Sequence, residues 1–181
     1  INEIQGSPFY GCQFDATLTL HEGLKKIGDR AFSGNKFSGE LELPESLKEI
    51  GKQAFYNCYR LSGTLRLPSK LTIIKEGAFS GCSQLTDELA IPEGVLSIGK
   101  NAFAYCTMIQ KLVIPQTVDL IQESAFYMCT GLQSIVCKSE YPPYLQNRVF
   151  DGVSKTNFYV EVPEATVVTY KTTAGWSEFK R

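Results

Sequence analysis

Apolar positions recur along this chain at a long fixed distance. Phe stands at 9, 32, 55, 79, 103, 126 and 150, so successive rings lie 23 or 24 residues apart. Aligning on that column exposes others. Eight residues earlier come Ile1, Leu24, Leu47, Leu71, Val95, Val118 and Pro142; five earlier come Ile4, Ile27, Ile50, Ile74, Ile98, Ile121 and Leu145. The residue just before the ring is Pro8, Ala31, Ala54, Ala78, Ala102, Ala125 or Val149. Three places after it stand Cys12, Asn35, Cys58, Cys82, Cys106, Cys129 and Val153. A period in this range marks a solenoid, in which one turn cannot bury its own apolar face and stacked turns share a continuous core.

Within a turn the pattern changes twice. Lys111-Leu112-Val113-Ile114 alternates and predicts a short strand with Leu112 and Ile114 inward; Glu40 to Leu43 and Thr64 to Leu67 read alike. Pro44, Pro68, Pro92, Pro115 and Pro163 then end the ladder, because proline has no N–H to donate. Val95 to Gly99 reads as a second extended segment, and Gly28, Gly51 and Gly99 as corners with positive φ. Lys100 to Tyr105 has room for about one helical turn. With only short helical pieces opposite strands about 4.8 Å apart, the stack is expected to curve gently.

The end departs from the repeat. Pro163 and Glu164 suit a helix start, Val167 and Tyr170 share a face, and Trp176 and Phe179 can fold back over the open edge. The reading is one domain over 1–181, with repeats over about 1–163 and a C-terminal cap over about 164–181. The N-terminus shows no equivalent device.

Charge and cysteine content narrow the chemistry. Net charge is −1, so no basic surplus points to nucleic acid. No apolar run reaches the roughly 18 residues of a membrane helix. No targeting segment is present, but Ile1 already sits inside a repeat, so that absence says nothing of location. Five of the six cysteines share one column. Neighbouring turns about 4.8 Å apart exceed the Cβ separation of about 3.8 Å that a disulfide prefers, so buried free thiols acting as small hydrophobes are expected over bridges. Zinc is disfavoured by the lack of paired Cys-x-x-Cys spacing and by a single histidine, His21. No cofactor or metal ligand set is expected.

These columns resemble the BspA-like leucine-rich repeats, whose run Leu-x-x-Ile-Gly-x-x-Ala-Phe-x-x-Cys-x-x-Leu, followed by a strand ending Ile-Pro, appears nearly verbatim at Val95 to Pro115 and Leu47 to Pro68. The ending from Val162-Pro163 to Phe179 resembles the C-terminal cap of such proteins. Asn35 for Cys, His21 and Lys138 for Pro, and Cys137 for Leu depart from the motif. The resemblance implies an α/β repeat solenoid: a right-handed superhelix with a parallel sheet of short strands on one face, short helical or 3-10 turns on the other, and a cap. It also implies secretion or cell-surface display, adhesion to a host extracellular or other cell-surface protein, and no shared catalytic residues.

Enzyme chemistry finds little footing. A nucleophile needs a base, His21 is the only histidine, and it sits at a turn. Glu40 and Glu42 form a carboxylate pair about 7 Å apart on a strand, without a cleft. Binding fits better. The outward strand residues are free of the core: Thr17 and Thr19, Glu40 and Glu42, Thr64 and Arg66, Glu88 and Ala90, Lys111 and Val113, Ser134 and Val136, Tyr159 and Glu161. In register, Ala90, Val113 and Val136 form an apolar stripe flanked by Arg66 and Lys111, with Tyr159 at one end and Glu40 and Glu42 at the other. Such a strip suits protein contact, although β-branched residues also favour strands for their own sake. Tyr10, Tyr56, Tyr59, Tyr105 and Tyr127 are expected on the opposite side. The function expected is a non-enzymatic protein-interaction module; the alternative is a structural spacer or a fragment of a longer repeat array.

Overall fold

The computed structural model describes residues 2–179; Ile1, the first member of its column, lies outside them. The described chain is a stack of parallel turns. One ladder runs through Glu3–Ile4, Lys26–Ile27 and Glu49–Ile50 and resumes through Ile73–Ile74, Ser97–Ile98, Leu120–Ile121 and Tyr144–Leu145. A second runs through Gly39–Glu40, Leu61–Gly63 and Gln84–Leu85. A third joins Asp87–Ala90, Ile109–Ile114, Ser134–Cys137 and Tyr159–Glu161. Every pairing among these strands is parallel. The extended segment expected at Val95 to Gly99 is thus a true ladder strand at Ser97–Ile98.

The Phe column lies in single file. Ring centroids from Phe9 through Phe150 follow one another at 5.4–5.5 Å with planes within 18° of parallel. Phe55, Phe79 and Phe103 are wholly buried. The Leu/Val and Ile columns flank them in a core that runs without break from Leu24 to Phe179. Because every buried ring touches a ring above and below, the packing energy resides in contacts between turns.

The segment around each Phe is not helical. An α-helix sends each N–H to the carbonyl four residues back; here alternate N–H groups divide between two destinations. Ala102, Ala104 and Cys106 donate three residues back, to Gly99, Asn101 and Phe103. Asn101, Phe103 and Tyr105 donate across to Glu123, Ala125 and Tyr127 of the next turn. The cause is a left-handed residue on each side of the ring: Asn101 at φ 54° and Tyr105 at φ 61°, with Gln53 and Asn57, Gly77 and Gly81, and Ser124 and Met128 doing the same in other turns. The expected helical piece is therefore a run of tight turns that doubles as an inter-turn ladder.

The left-handed corners expected at Gly28, Gly51 and Gly99 fall two residues later, at Arg30, Gln53 and Asn101. Glycine serves there for room. A Cβ on Gly51 would come 2.4 Å from the Gly28 carbonyl carbon, and one on Gly99 would come 2.7 Å from the Glu76 nitrogen. Both contacts are with backbone of the preceding turn, which cannot yield without opening the stack.

The strands expected at Glu40 to Leu43 and Thr64 to Leu67 are displaced. Leu41, Leu65 and Leu67 do point inward, but the ladder sits earlier, at Gly39–Glu40 and Leu61–Gly63, and returns only as an isolated bridge from Arg66 to Ala90. Gly63 at φ 75° and Asp87 at φ 62° are left-handed where one strand ends and another begins, and the third ladder shifts register between Ile109 and Lys111, opposite Asp87 and Glu88.

Beyond the last strand the chain closes the stack as expected. A 3-10 turn at Glu164–Thr166 leads into a helix at Val167–Thr172, and a second 3-10 turn spans Trp176–Glu178. Phe179 meets the last ring of the file, Phe150, edge-on at 5.4 Å. The Trp176 indole N–H donates to Pro143 O at 2.8 Å, and the Tyr170 hydroxyl donates to Ser139 O at 2.9 Å. At the other end Phe9 stacks on Phe32, meets Phe14 at a tilt of 58°, and remains 36 % exposed.

Candidate interaction face

The strand-lined face takes shape from Asp87 onward, where the third ladder becomes regular. Leu89, Leu112 and Ile135 are buried behind it, so their neighbours at i±1 must face outward. Ala90 pairs with Val113 and Val113 with Val136, which sets the three apolar side chains in one row. Arg66 bridges to Ala90 at one end of that row and Glu161 pairs with Val136 at the other. A parallel row reads Glu88, Lys111, Ser134 and Tyr159. The face therefore offers an apolar strip three strands long, closed by opposite charges, with Tyr159 standing 59 % exposed beside it.

Four of the expected neighbours sit differently. Lys111 is no free cation at the strip, because its ammonium lies 2.9 Å from the Glu88 carboxylate. Thr64 is tied down by its hydroxyl, which donates to Asp87 at 3.0 Å. Glu40 stands opposite Ser62 and lies across Gly63, two residues short of the Thr64 position that proline spacing assigned to it. Glu42 is exposed and belongs to no strand. The pair thus does not extend the strip; Glu40 belongs to the second ladder and the strip to the third. His21 is exposed and contributes its carbonyl to the Leu24 N–H.

The cysteine column has a chemistry that hydrophobic patterning missed. Cys58, Cys82, Cys106 and Cys129 each aim Sγ at the Phe carbonyl of the turn before, at 3.1–3.3 Å. At Phe55, Phe79 and Phe103 that carbonyl already accepts the N–H three residues on, so the thiol gives a buried oxygen with two lone pairs its second donor. Asn35 shows the same demand: its amide donates to Phe9 O at 2.7 Å and Phe32 O at 2.9 Å while its oxygen accepts the Phe14 N–H. The signal was present in the sequence, since an Asn in a Cys column points to a donor rather than to apolar bulk. Burial pushes the Cys58 thiol up to about 11 and the Cys129 thiol up to about 12; Cys82 and Cys106 are raised by burial as well.

Cys12 departs from the expected burial. It is exposed, since no described turn lies beyond it. A thiol-trapping reagent at pH 8 should therefore label about one of the six cysteines in the folded chain and all six in denaturant; rapid labelling of Cys82 or Cys106 without denaturant would contradict this. Among the described residues no three His, Cys, Asp or Glu side chains meet as a metal site.

The turn face is laced with ion pairs. Lys52 reaches Glu76 at 3.3 Å and Lys100 reaches Glu123 at 2.8 Å. On the other ladder Glu49 sits between Lys26 at 3.1 Å and Lys75 at 2.5 Å, and the Lys75 ammonium foremost holds its carboxyl below the usual range. These partners lie in adjacent turns, so they reinforce register more than net stability.

A sequence profile described as BspA type leucine rich repeat region matches residues 2–88 and 62–170, in six copies. No curated protein matches. Among solved structures, a leucine rich cell surface protein from Faecalibacterium prausnitzii A2-165 is 23 % identical, with a TM-score of 0.55 over 76 % of this chain and 51 % of that one. A leucine-rich repeat protein from Bacteroides ovatus ATCC 8483 is 23 % identical over 92 % of this chain and 53 % of that one, with a TM-score of 0.48. The chain thus spans about half the length of each.

Proposed function

This chain belongs to the BspA type leucine-rich repeat family, and from that footing we propose that it is a protein-recognition module displayed outside the cell, meeting its partner through the strand-lined face. Leucine-rich repeats of this kind are typically non-catalytic and generally bind proteins. The observation that carries the reading is the in-register row of Ala90, Val113 and Val136, which the core does not need and which opposite charges bound at its ends. An apolar centre with a polar rim is the usual anatomy of a protein contact. The further step to adhesion rests on the family and on the surface protein of similar fold. Repeats and cap act here as one unit, since the strip ends against the capped turn.

Val113→Glu tests it. The side chain faces outward, so the stack should fold unchanged by circular dichroism. A charge placed at the centre of an apolar contact should cost about 2 kcal/mol or more, roughly 30-fold in affinity, measured by surface plasmon resonance against immobilised extracellular-matrix proteins. Binding that survives both Val113→Glu and Val136→Glu would remove the strip from the account and leave the spacer reading.

A further inference from the structure

On the turn face, away from the strip, the repeats leave a trough of about 410 Å³ that has no part in the reading above. Its floor is Gly77, Ser80 and Ala104, small and buried. Tyr56 stands one turn before that floor; Tyr105 and Tyr127 rise from its far side. The far wall is braced. Tyr105 meets Tyr127 edge to face, with centroids 5.4 Å apart and planes at 83°, and the Arg148 guanidinium lies 4.7 Å over the Tyr127 ring.

Tyr105 is held where its backbone is disfavoured. At φ 61° it occupies a column that Gly11, Gly34, Gly81 and Gly152 fill in other turns, and in which Asn57 and Met128 are left-handed as well. The inter-turn bond from its N–H to Tyr127 O imposes that backbone, and a bulky residue in the left-handed region is uncommon and costs roughly 1–2 kcal/mol. Burial does not repay it, since Tyr105 is 50 % exposed.

The charges around the trough set the class of ligand. Glu76 is paired with Lys52 at 3.3 Å, Glu123 with Lys100 at 2.8 Å, and Arg148 with Asp151 at 3.2 Å. Neither an anion nor a cation would find an uncompensated partner there. What remains on offer is aromatic surface beside carboxylate, amide and hydroxyl groups, with Asn101 and Ser124 adding donors and acceptors. A sugar ring matches this set: its C–H face lies against an aromatic ring, and its paired hydroxyls bridge carboxylate and amide oxygens. The turns advance in steps of 5.4–5.5 Å along the Phe file, close to the advance of one sugar unit in an extended chain. We propose that the trough binds a neutral oligosaccharide across several turns, with Tyr105 as its stacking platform.

Isothermal calorimetry of the intact chain against cellotetraose, xylotetraose, mannotetraose and maltotetraose tests this, with tetragalacturonate as the anionic comparator. At least one neutral tetramer should bind with a Kd of about 1 mM or tighter. Tyr105→Ala should weaken it about tenfold or more. Tyr105→Gly, which installs the residue of four other turns, should weaken it as much without lowering the thermal midpoint, which separates ligand loss from misfolding. Val113→Glu should retain the sugar, so failure here and failure of the strand-face reading are distinguishable. The proposal is overturned if no neutral tetramer binds below about 10 mM, if tetragalacturonate binds more tightly, or if Tyr105→Gly keeps full affinity.

Discussion

Phe103→Ala should lower the stability of the chain by about 4 kcal/mol and its thermal midpoint by about 10 °C. Phe103 is wholly buried, with Phe79 on one face and Phe126 on the other, each at 5.5 Å. Truncation removes apolar burial, leaves a cavity and breaks two ring contacts worth about 0.5–1.5 kcal/mol apiece. In a solenoid those contacts are the interfaces between turns, so the loss falls at the middle of the stack, where two halves can part. Phe9→Ala is the internal comparison. Phe9 stacks on the file from one side only and is 36 % exposed, and the same change there should cost about 1 kcal/mol. Urea titrations of the two variants check the contrast. Equal losses would mean that the file does not carry the stability.

Alkaline solution should unfold the chain steeply. The column thiols are raised from an ordinary value of 9.0, Cys58 to about 11 and Cys129 to about 12, by burial first. Below pH 9 the thiols are protonated in both folded and unfolded chains and exert no pH-dependent effect. Above it the unfolded chain sheds protons that the folded chain retains, so stability falls until the folded thiols themselves ionise. Each thiol contributes about 1.4 kcal/mol per pH unit in that window, and the four of the column together about 5 kcal/mol per unit. Against a total of roughly 5–15 kcal/mol, the transition should fall between about pH 10 and 11. The thermal midpoint followed by circular dichroism from pH 7 to 11 measures it, and Cys58→Ala should flatten the slope by one thiol's share. A midpoint that stays level from pH 9 to 11 would contradict the burial of the column.

Why the architecture was legible and the details were not follows from particular residues. A ring every 23 or 24 positions can be buried repeatedly only by stacking, so the Phe file and the Ala, Ile and Leu columns beside it were readable from spacing alone. Trp176 and Phe179 were readable as a cap because they break the period and are large and apolar. The local backbone was less visible. Lys100 to Tyr105 has the length of a helical turn; Asn101 and the glycines that share Tyr105's column are left-handed signals, but the inter-turn bond from Tyr105 N–H to Tyr127 O that imposes this backbone is not legible in one turn's sequence. Gly99 carried a real signal, but glycine means either positive φ or a missing Cβ, and only the neighbouring turn's backbone decides between them.

The candidate face divides in the same way. Ala90, Val113 and Val136 fell into one row because three consecutive strands share a register that the repeat spacing gives correctly, even where Lys138 replaces the proline. Glu40 did not, because it pairs with Ser62 in the second ladder and not with the strands of the third. The pairing of Lys111 with Glu88 follows from a one-strand step that the columns contain, yet its effect on the strip, the loss of a free charge, emerges only with the 2.9 Å contact. Sequence spacing thus gives the rows, and the side-chain partners decide what each row offers.

The most direct test of the account is a diffraction map of the crystallised chain in which the rings of Phe55, Phe79 and Phe103 are located. The account predicts one file, near-parallel, with centroids about 5.5 Å apart. Rings dispersed among separate clusters would contradict it, and the order of the turns, the column of thiols and the faces built on both would fall together.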